Sequence, residues 1–141
     1  MRDQQKNKVY SWEQRYIAPH DKSQVPFEQI QSLVDHVWEQ EGLQHPPRVK
    51  NLPRNAHCRS GDATRTIVRF HEGTTPTWII LHELAHSMTS DVDHNSNWHG
   101  SLFVGQYILL VSKYLGIKLS DLIVSARKDD VKYKLGYVCQ F

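Results

Sequence analysis

Apolar side chains recur along the chain at intervals of three and four residues, the spacing of amphipathic helices. Residues 26–42 show this pattern, with a proline in the first turn and a glycine at the end. Residues 74–89 (TTPTWIILHELAHSMT) are apolar over most of their length and predict a buried helix. The same spacing predicts a third helix over residues 99–115 and a short fourth helix over residues 120–127.

Two short stretches between the first two predicted helices have the composition of strands. Residues 48–52 form one, and residues 64–70, which are rich in β-branched side chains and alternate in polarity, form the other. Gly61 and Asp62 predict a turn before the second stretch, and the tail over residues 131–141 can add a strand. The order helix, small sheet, helix, loop, helix predicts an α+β fold with a small antiparallel or mixed sheet.

The chain predicts one domain preceded by an N-terminal arm. No repeat, low-complexity stretch or long linker interrupts its 141 residues, a length typical of a single domain. Residues 1–25 are polar and mixed, so we expect them to form an arm that packs on the body, residues 26–141. The expected anchors are the arm's larger apolar side chains, Val9, Tyr10, Trp12, Tyr16 and Ile17.

Thr74 or Thr75 is the expected N-cap of the buried helix predicted over residues 74–89.

Composition limits the cellular compartment that we expect and the kind of side chain that could bind a metal. No run approaches the roughly 18–20 apolar residues of a membrane-spanning helix, and the first residues, MRDQQKNKVYSW, lack the apolar segment of a secretory signal. A cytoplasmic protein with no membrane partner is therefore expected. The sequence has 2 cysteines and 9 histidines, so a bound metal would be held by imidazole rather than by thiolate.

Charge is balanced overall but unevenly distributed. The net charge of +2 is too small to indicate nucleic-acid binding by itself. Residues 48–72, however, are mainly basic, whereas residues 26–42 carry acidic side chains and no lysine or arginine. Two solvated faces of opposite sign are the simpler interpretation, and a basic rim that attracts an acidic substrate or DNA is the alternative.

The run His82-Glu83-Leu84-Ala85-His86 is an H-E-x-x-H motif on the predicted buried helix. Spacing of four residues places both imidazoles on one helical face, as two ligands of one zinc ion require. Glu83 is adjacent to the first ligand and can reach a water bound to the metal, but not the metal itself. Three ionisable side chains on a buried helix are costly unless they have a partner.

A catalytic zinc site usually has three protein ligands, so a third ligand must be found. No glutamate follows Glu83, and Val92 stands where the extended H-E-x-x-H-x-x-G-x-x-H motif would have its third histidine. We favour His99, because it precedes a predicted helix and is followed by Gly100, which lets the backbone approach closely. His94, in the polar loop before it, is the alternative. The aspartates Asp91, Asp93, Asp121, Asp129 and Asp130 also remain open.

HELAH at 82–86, HGSLF at 99–103 and YLG at 114–116 resemble the SprT-like zinc metallopeptidases, in which H-E-x-x-H is followed by H-G-x-x-F. The resemblance covers residues 79–116. It implies a compact zincin-like metallopeptidase domain with an active-site helix and a packing helix after it. It also implies Zn²⁺ held by His82, His86 and His99, with Glu83 as the catalytic acid/base. Many SprT-like proteins carry a C-terminal four-cysteine zinc ribbon, which the two cysteines of this sequence cannot form.

The expected activity is hydrolysis of a protein or peptide substrate by a zinc-activated water, with Glu83 as general base. Strand 64–70 would line the cleft as an edge strand, with Arg65 and Arg69 flanking the substrate or simply guarding the edge. The candidates for stabilising the oxyanion are Tyr107, Tyr114, Tyr133 and His94. The alternative function is a non-catalytic module in which the same zinc is structural and a basic surface binds nucleic acid or an acidic partner.

Overall fold

The computed structural model describes residues 3–53, 60–93 and 99–136. Within these ranges the chain has an α+β fold with five α-helices and two small sheets, which confirms the predicted class. The helices are α1 (Lys6–Tyr16), α2 (Phe27–Gln40), α3 (Thr77–Asp93), α4 (Ser101–Leu115) and α5 (Leu119–Lys128). Each of the four predicted helices is present, and α1 is a further helix within the N-terminal arm.

Helix α3 begins later and ends later than the pattern predicts. Residues 74 and 75 form the short strand β5 (Thr74–Thr75), which pairs antiparallel with β1 (Val25–Pro26). The caps come instead from the segment before β1. Ser23 Oγ accepts from the backbone N–H of Thr77, and Asp21 Oδ2 accepts from that of Trp78, each at 2.9 Å. The expectation that a threonine of 74–75 caps α3 is therefore wrong, because the helix begins only at Thr77 and its first free N–H groups bond to Ser23 and Asp21.

Three strands form a mixed sheet in the order β2-β4-β3. β2 (Arg48–Asn51) runs parallel to β4 (Ile67–Phe70), and β3 (Gly61–Ala63) runs antiparallel to it. The predicted strand over 64–70 is thus shorter, and it is the central strand rather than an edge. The turn expected at 61–62 is the start of an edge strand, and the actual turn lies at residues 64–67, where the backbone N–H of Thr64 donates to the carbonyl of Ile67.

The hydrophobic core lies between the sheet and the helices, and α3 passes through its centre with α4 packed along it. Alternation along β4 turns Val68 and Phe70 into the core and leaves Ile67 exposed. Burial of each large side chain contributes about 1.5–3 kcal/mol. The largest fully buried side chains are Trp12, Trp38, Tyr107, Phe70, Phe103, Ile17, Ile30, Leu52, Ile80, Leu81, Leu84 and Met88.

Helix α1 packs against α5 through one buried hydrogen bond and two ion pairs. The indole Nε1–H of Trp12 donates to Ser125 Oγ at 2.9 Å, and both groups are buried. On the exposed flank, Lys8 pairs with Asp130 at 2.9 Å and Arg15 pairs with Asp129 at 3.2 Å. Exposed ion pairs contribute little, so burial of Trp12 supplies most of the stabilisation.

Residues 131–136 are not part of a strand, and the remainder of the predicted tail strand lies outside the described residues. Instead this segment crosses α4, where the backbone N–H of Lys134 donates to the carbonyl of Ser101 at 2.9 Å. Gly105 makes the crossing possible, because an added Cβ would overlap the carbonyl group of Lys134.

None of the helices in the described ranges combines the length and apolar character needed to cross a bilayer. The longest, α3, has 17 residues and carries ionisable side chains in its middle.

Candidate metal centre

His82 and His86 lie one turn apart on the face of α3 that contacts α4, as the motif predicts. Their ring centroids are 4.9 Å apart. Phe103 of α4 stacks on His86, with centroids 4.1 Å apart and an angle of 16° between the rings. Because α3 lies in the core, packing restricts the orientation of both imidazoles.

His99 lies just before α4 and meets the two histidines of α3. Its Nε2 is 3.2 Å from the Nε2 of His86, and one ligand atom from each of the three histidines lies within 4.8 Å of the others. Two nitrogens that share a tetrahedral zinc ion at 2.0–2.1 Å would be about 3.4 Å apart. The three buried histidines are therefore spaced so that they could bind a metal ion.

The other candidate ligands do not join this cluster within the described part of the chain. Asp129 and Asp130 pair with basic residues of α1, and Asp121 is exposed on α5. His94 lies outside the described residues, and so do the side chains of Asp91 and Asp93.

Gly100 has a different role from the one expected of it. It is the N-cap residue of α4, with φ −76°, and an added Cβ would meet no described atom within 4 Å. The expectation that this glycine permits a close backbone approach is therefore wrong.

Asp3 orients the His99 ring. The Nδ1–H of His99 donates to Asp3 Oδ2 at 2.7 Å, and the backbone N–H of His99 approaches the same oxygen at 3.2 Å. A carboxylate oxygen only accepts, so this contact places the imidazole proton on Nδ1. The lone pair of Nε2 is then directed toward the other two histidines.

Glu13 does the same for His82. The Nδ1–H of His82 donates to Glu13 Oε2 at 2.8 Å, and both side chains are buried. The hydroxyl of Tyr107 of α4 donates to the carbonyl of Trp78 at 3.3 Å, and the charge of the Glu13 carboxylate adds to burial in raising its pKa. A buried carboxylate of α1 therefore contacts a histidine on α3 and interacts electrostatically with a tyrosine of α4.

Burial and neighbouring charges act differently on the three imidazoles. Burial, with the charges of the other two histidines, holds the pKa of His86 well below its usual value. Burial and the charge of His82 also lower the pKa of His99, although Asp3 opposes this. For His82 burial is outweighed by the carboxylates of Glu13 and Glu83, so its pKa is raised. His86 and His99 are thus kept neutral near pH 7, the form in which imidazole binds a metal.

Glu83 is 7% exposed, follows His82 on α3 and lies close to the edge strand β3. Its Cγ is 3.1 Å from the position that a Cβ on Gly61 would occupy. Its charge also raises the pKa of His82 and, behind burial and Glu13, that of Tyr107. Glu83 therefore lies against a strand edge, and its charge acts on a histidine of the cluster.

The three tyrosines predicted as candidate oxyanion donors differ in their burial and in their position relative to the three histidines. Tyr107 is fully buried beneath it and is engaged with Glu13. Tyr114 donates to Glu41, toward the end of α2. Tyr133 is half-buried in the segment that follows α5. Of the tyrosines expected from the sequence, none combines exposure with a position beside the three histidines.

Tyr10 of α1 combines exposure with such a position, although sequence reasoning predicted it only as an anchor of the N-terminal arm. It is 40% exposed, and its ring lies edge-on to His99 with centroids 5.0 Å apart. The His82 ring is 6.1 Å away. Tyr10 therefore marks the side on which the cluster approaches solvent.

The basic residues near the sheet have mainly structural contacts. Arg69 is paired with Asp62 on the neighbouring strand. Arg65 donates to the carbonyls of Gln44 and His45 and lies over the Trp38 ring at 4.8 Å. Because β4 is the central strand, neither arginine flanks a cleft along its edge, and that expectation is wrong.

Asp3 and Glu13 are the site residues that sequence reasoning missed. Glu13 had a detectable signal: it follows Val9 by four residues, which places a carboxylate on the buried stripe of α1. A buried carboxylate requires a partner. Asp3 lies 96 residues before His99 and precedes the helix, so no local pattern links the two.

Comparison of the chain with protein-family models, with curated proteins and with solved structures finds no match in any of the three. Evidence on function therefore comes from the residues of the site.

Proposed function

We propose that this protein is a zinc-dependent metallopeptidase that hydrolyses peptide bonds. The observation that carries the proposal is the convergence of His82, His86 and His99 to within 4.8 Å beside the buried carboxylate of Glu83. The resemblance of HELAH and HGSLF to the SprT-like metallopeptidases supports the same assignment and favours a zincin-like fold.

The donor set fits a catalytic zinc ion. Imidazole is a common ligand of Zn²⁺, and a three-ligand set leaves one coordination position for water or substrate. When bound, zinc supplies Lewis-acid activation of water and polarises a carbonyl group. The carboxylates behind His82 and His99 are the outer partners that zinc-binding histidines usually have.

Glu83 is the proposed general base. It is adjacent to His82 in the sequence, and its charge raises the pKa of that histidine. A carboxylate there can accept a proton from the attacking water and return it to the nitrogen of the departing amine, so the proton is conserved over the reaction. This role explains why a glutamate is buried in an apolar helix without being placed among the ligands.

The peptide substrate is proposed to bind in an extended conformation along β3. Among the described strands, β3 pairs only with β4 and forms one edge of the sheet. Because Gly61 has no side chain, this edge lies close to Glu83. An extended peptide that adds a strand at such an edge forms main-chain hydrogen bonds, which give affinity with little sequence preference.

The proposal is tested with Glu83→Gln, which keeps the size of the side chain and removes its basicity. Zinc content and the free energy of unfolding should match those of the wild type. Hydrolysis of an unfolded protein substrate, followed by mass spectrometry, should fall by about 100- to 10,000-fold. Cleavage by the variant at the wild-type rate, or none by zinc-loaded wild type, contradicts the proposal.

The second candidate is a structural zinc site in a non-catalytic binding module. The low exposure of the three histidines, 3–6%, favours it, because structural zinc sites are closed. Arg48 and Lys50 on the edge strand β2 are exposed and would contribute to a basic binding surface. Under this alternative Glu83→Gln changes no activity, and salt-dependent binding to DNA replaces hydrolysis as the measurable property.

A further inference from the structure

We infer that Asp3 and Glu13 of the N-terminal segment are positioning residues of the metal site, and that zinc binding and docking of this segment strengthen one another. The inference rests on the zinc site of the proposed function, but it does not require hydrolysis. Each carboxylate contacts one proposed ligand at its Nδ1, on the side of the ring away from the other ligands.

Asp3 fixes His99 through two contacts. One carboxylate oxygen lies 2.7 Å from Nδ1 and 3.2 Å from the backbone nitrogen of the same residue. These contacts restrain both the ring and the main chain at the start of α4. Without the carboxylate, the Nδ1–H and Nε2–H tautomers of His99 would both be accessible, and only the first presents Nε2 as a ligand.

Glu13 fixes His82 from a more deeply buried position. It belongs to α1, whose neighbouring residue Trp12 is fully buried and bonded to Ser125. The charge of the same carboxylate also acts on Tyr107 of α4. Anchoring of α1 through Trp12 therefore positions the Glu13 carboxylate, which fixes the orientation of the His82 ring.

Gln5 adds a third connection between the segment and the site. Its Nε2–H₂ group donates to the carbonyl of His99 at 2.9 Å and to that of Lys132 at 3.1 Å. Its Oε1 accepts from the backbone N–H of Lys132 at 2.5 Å. Residues 3–13 thus contact His99 at both side chain and main chain and His82 at its side chain.

These contacts make metal affinity depend on the N-terminal segment. A zinc ion that fixes the three rings also fixes the partners of Asp3 and Glu13, so it stabilises the docked segment. The free energy by which zinc stabilises docking equals the free energy by which docking strengthens zinc binding. Loss of a carboxylate behind a zinc-bound histidine typically lowers metal affinity by about 10- to 100-fold.

The test uses Asp3→Asn and Glu13→Gln in the full chain, each of which removes a charge and keeps the shape. The dissociation constant for zinc is measured by competition with a chromophoric chelator, and the free energy of unfolding is measured on the metal-free proteins. We expect each variant to bind zinc about 10- to 100-fold more weakly than the wild type. The visible absorption spectrum of the cobalt-substituted variants should shift as well, because the ligand geometry changes.

Asp130→Asn is the matched control. Asp130 pairs with Lys8 and Lys132, so this variant weakens the anchoring of the same segment without touching a histidine. It should keep the wild-type zinc affinity within about twofold, and its cobalt spectrum should not change.

Three outcomes distinguish a failure of the positioning roles of Asp3 and Glu13 from a failure of the proposed function. Wild-type affinity and an unshifted cobalt spectrum in both Asp3→Asn and Glu13→Gln overturn the positioning roles while leaving the proposed function intact. An equal loss of affinity in Asp130→Asn overturns them too, because it would show that general docking of the segment is what counts. A wild-type protein that binds no zinc overturns the proposed function and this inference together.

Discussion

Glu83 on α3 lies where a side chain at Gly61 of the edge strand β3 would have to go. A Cβ added to Gly61 would lie 3.1 Å from Glu83 Cγ and 2.9 Å from the backbone carbonyl oxygen of Arg69. Both distances are shorter than side chains normally tolerate, so the absence of a side chain at position 61 sets the distance between the strand edge and the proposed general base.

Gly61→Ala should therefore reduce activity without removing the metal. Since the Arg69 carbonyl belongs to the paired strand, the added methyl must displace either the strand or Glu83. We expect a loss of about 1–3 kcal/mol in the free energy of unfolding. Displacement of the base by about 1 Å lowers the hydrolytic rate by about 100-fold. Urea unfolding and single-turnover kinetics measure the two effects.

Gly100→Ala is the control, since it adds the same methyl group beside the site, where it meets no described atom within 4 Å. Its rate should stay within a few-fold of the wild type, and its stability should change by no more than about 1 kcal/mol from the altered N-cap. A Gly61→Ala protein as active and stable as Gly100→Ala would show that the contact with Glu83 is not limiting.

His99→Ala should abolish tight zinc binding, whereas His94→Ala should not. His99 contributes one of the three clustered ligand atoms, and His94 was the alternative from sequence. Zinc content after extensive dialysis, measured by atomic emission, should be close to one ion per chain for His94→Ala and close to zero for His99→Ala. The reverse result would identify His94 as the third ligand.

Tyr107→Phe should destabilise the fold. It should also weaken zinc binding, but by less than Glu13→Gln does. The hydroxyl donates to the Trp78 carbonyl at 3.3 Å and interacts electrostatically with the Glu13 carboxylate, and its loss costs about 1–3 kcal/mol. Tyr114→Phe is the control. It removes a hydroxyl bonded to the partly exposed Glu41, so zinc affinity should not change. Equal zinc affinities in the two variants would exclude a role for Tyr107 in holding Glu13.

Gly105→Ala should detach residues 131–136 from α4. An alanine inside a helix normally adds about 1 kcal/mol of stability relative to glycine. At this position its Cβ would overlap the backbone of Lys134, so the segment must move away and its bond to Ser101 must break. Hydrogen exchange at the Lys134 amide should accelerate and the protein should be less stable. A more stable variant with a protected amide would contradict the observed crossing.

The sequence allowed the centre of the site to be predicted because its ligands follow helical geometry. A spacing of four residues places His82 and His86 on one face wherever the helix begins, so the later start of α3 did not affect that prediction. His99 was found from its position before an apolar helix. In contrast, Asp3 and Glu13 meet their histidines across 96 and 69 residues, and only tertiary packing defines such pairs.

The sheet was predicted less well for a related reason. Gly61 and Asp62 have the composition of a turn, yet they pair with Phe70 and Arg69 as an edge strand. A strand beside the active helix can include glycine because the small residue admits a close neighbour, here Glu83. The intrinsic preference of glycine for turns was overridden by packing.

X-ray absorption at the zinc K-edge, on the full chain loaded with one equivalent of zinc, measures the ligands of the proposed metal site. We expect one ion with three imidazole nitrogens at about 2.0–2.1 Å, one further light-atom ligand and no sulfur. We also expect each of His82→Ala, His86→Ala and His99→Ala to lose this three-imidazole signal. A spectrum with sulfur ligands, or one unchanged by these three substitutions, would contradict the assignment of the three histidines as the metal site.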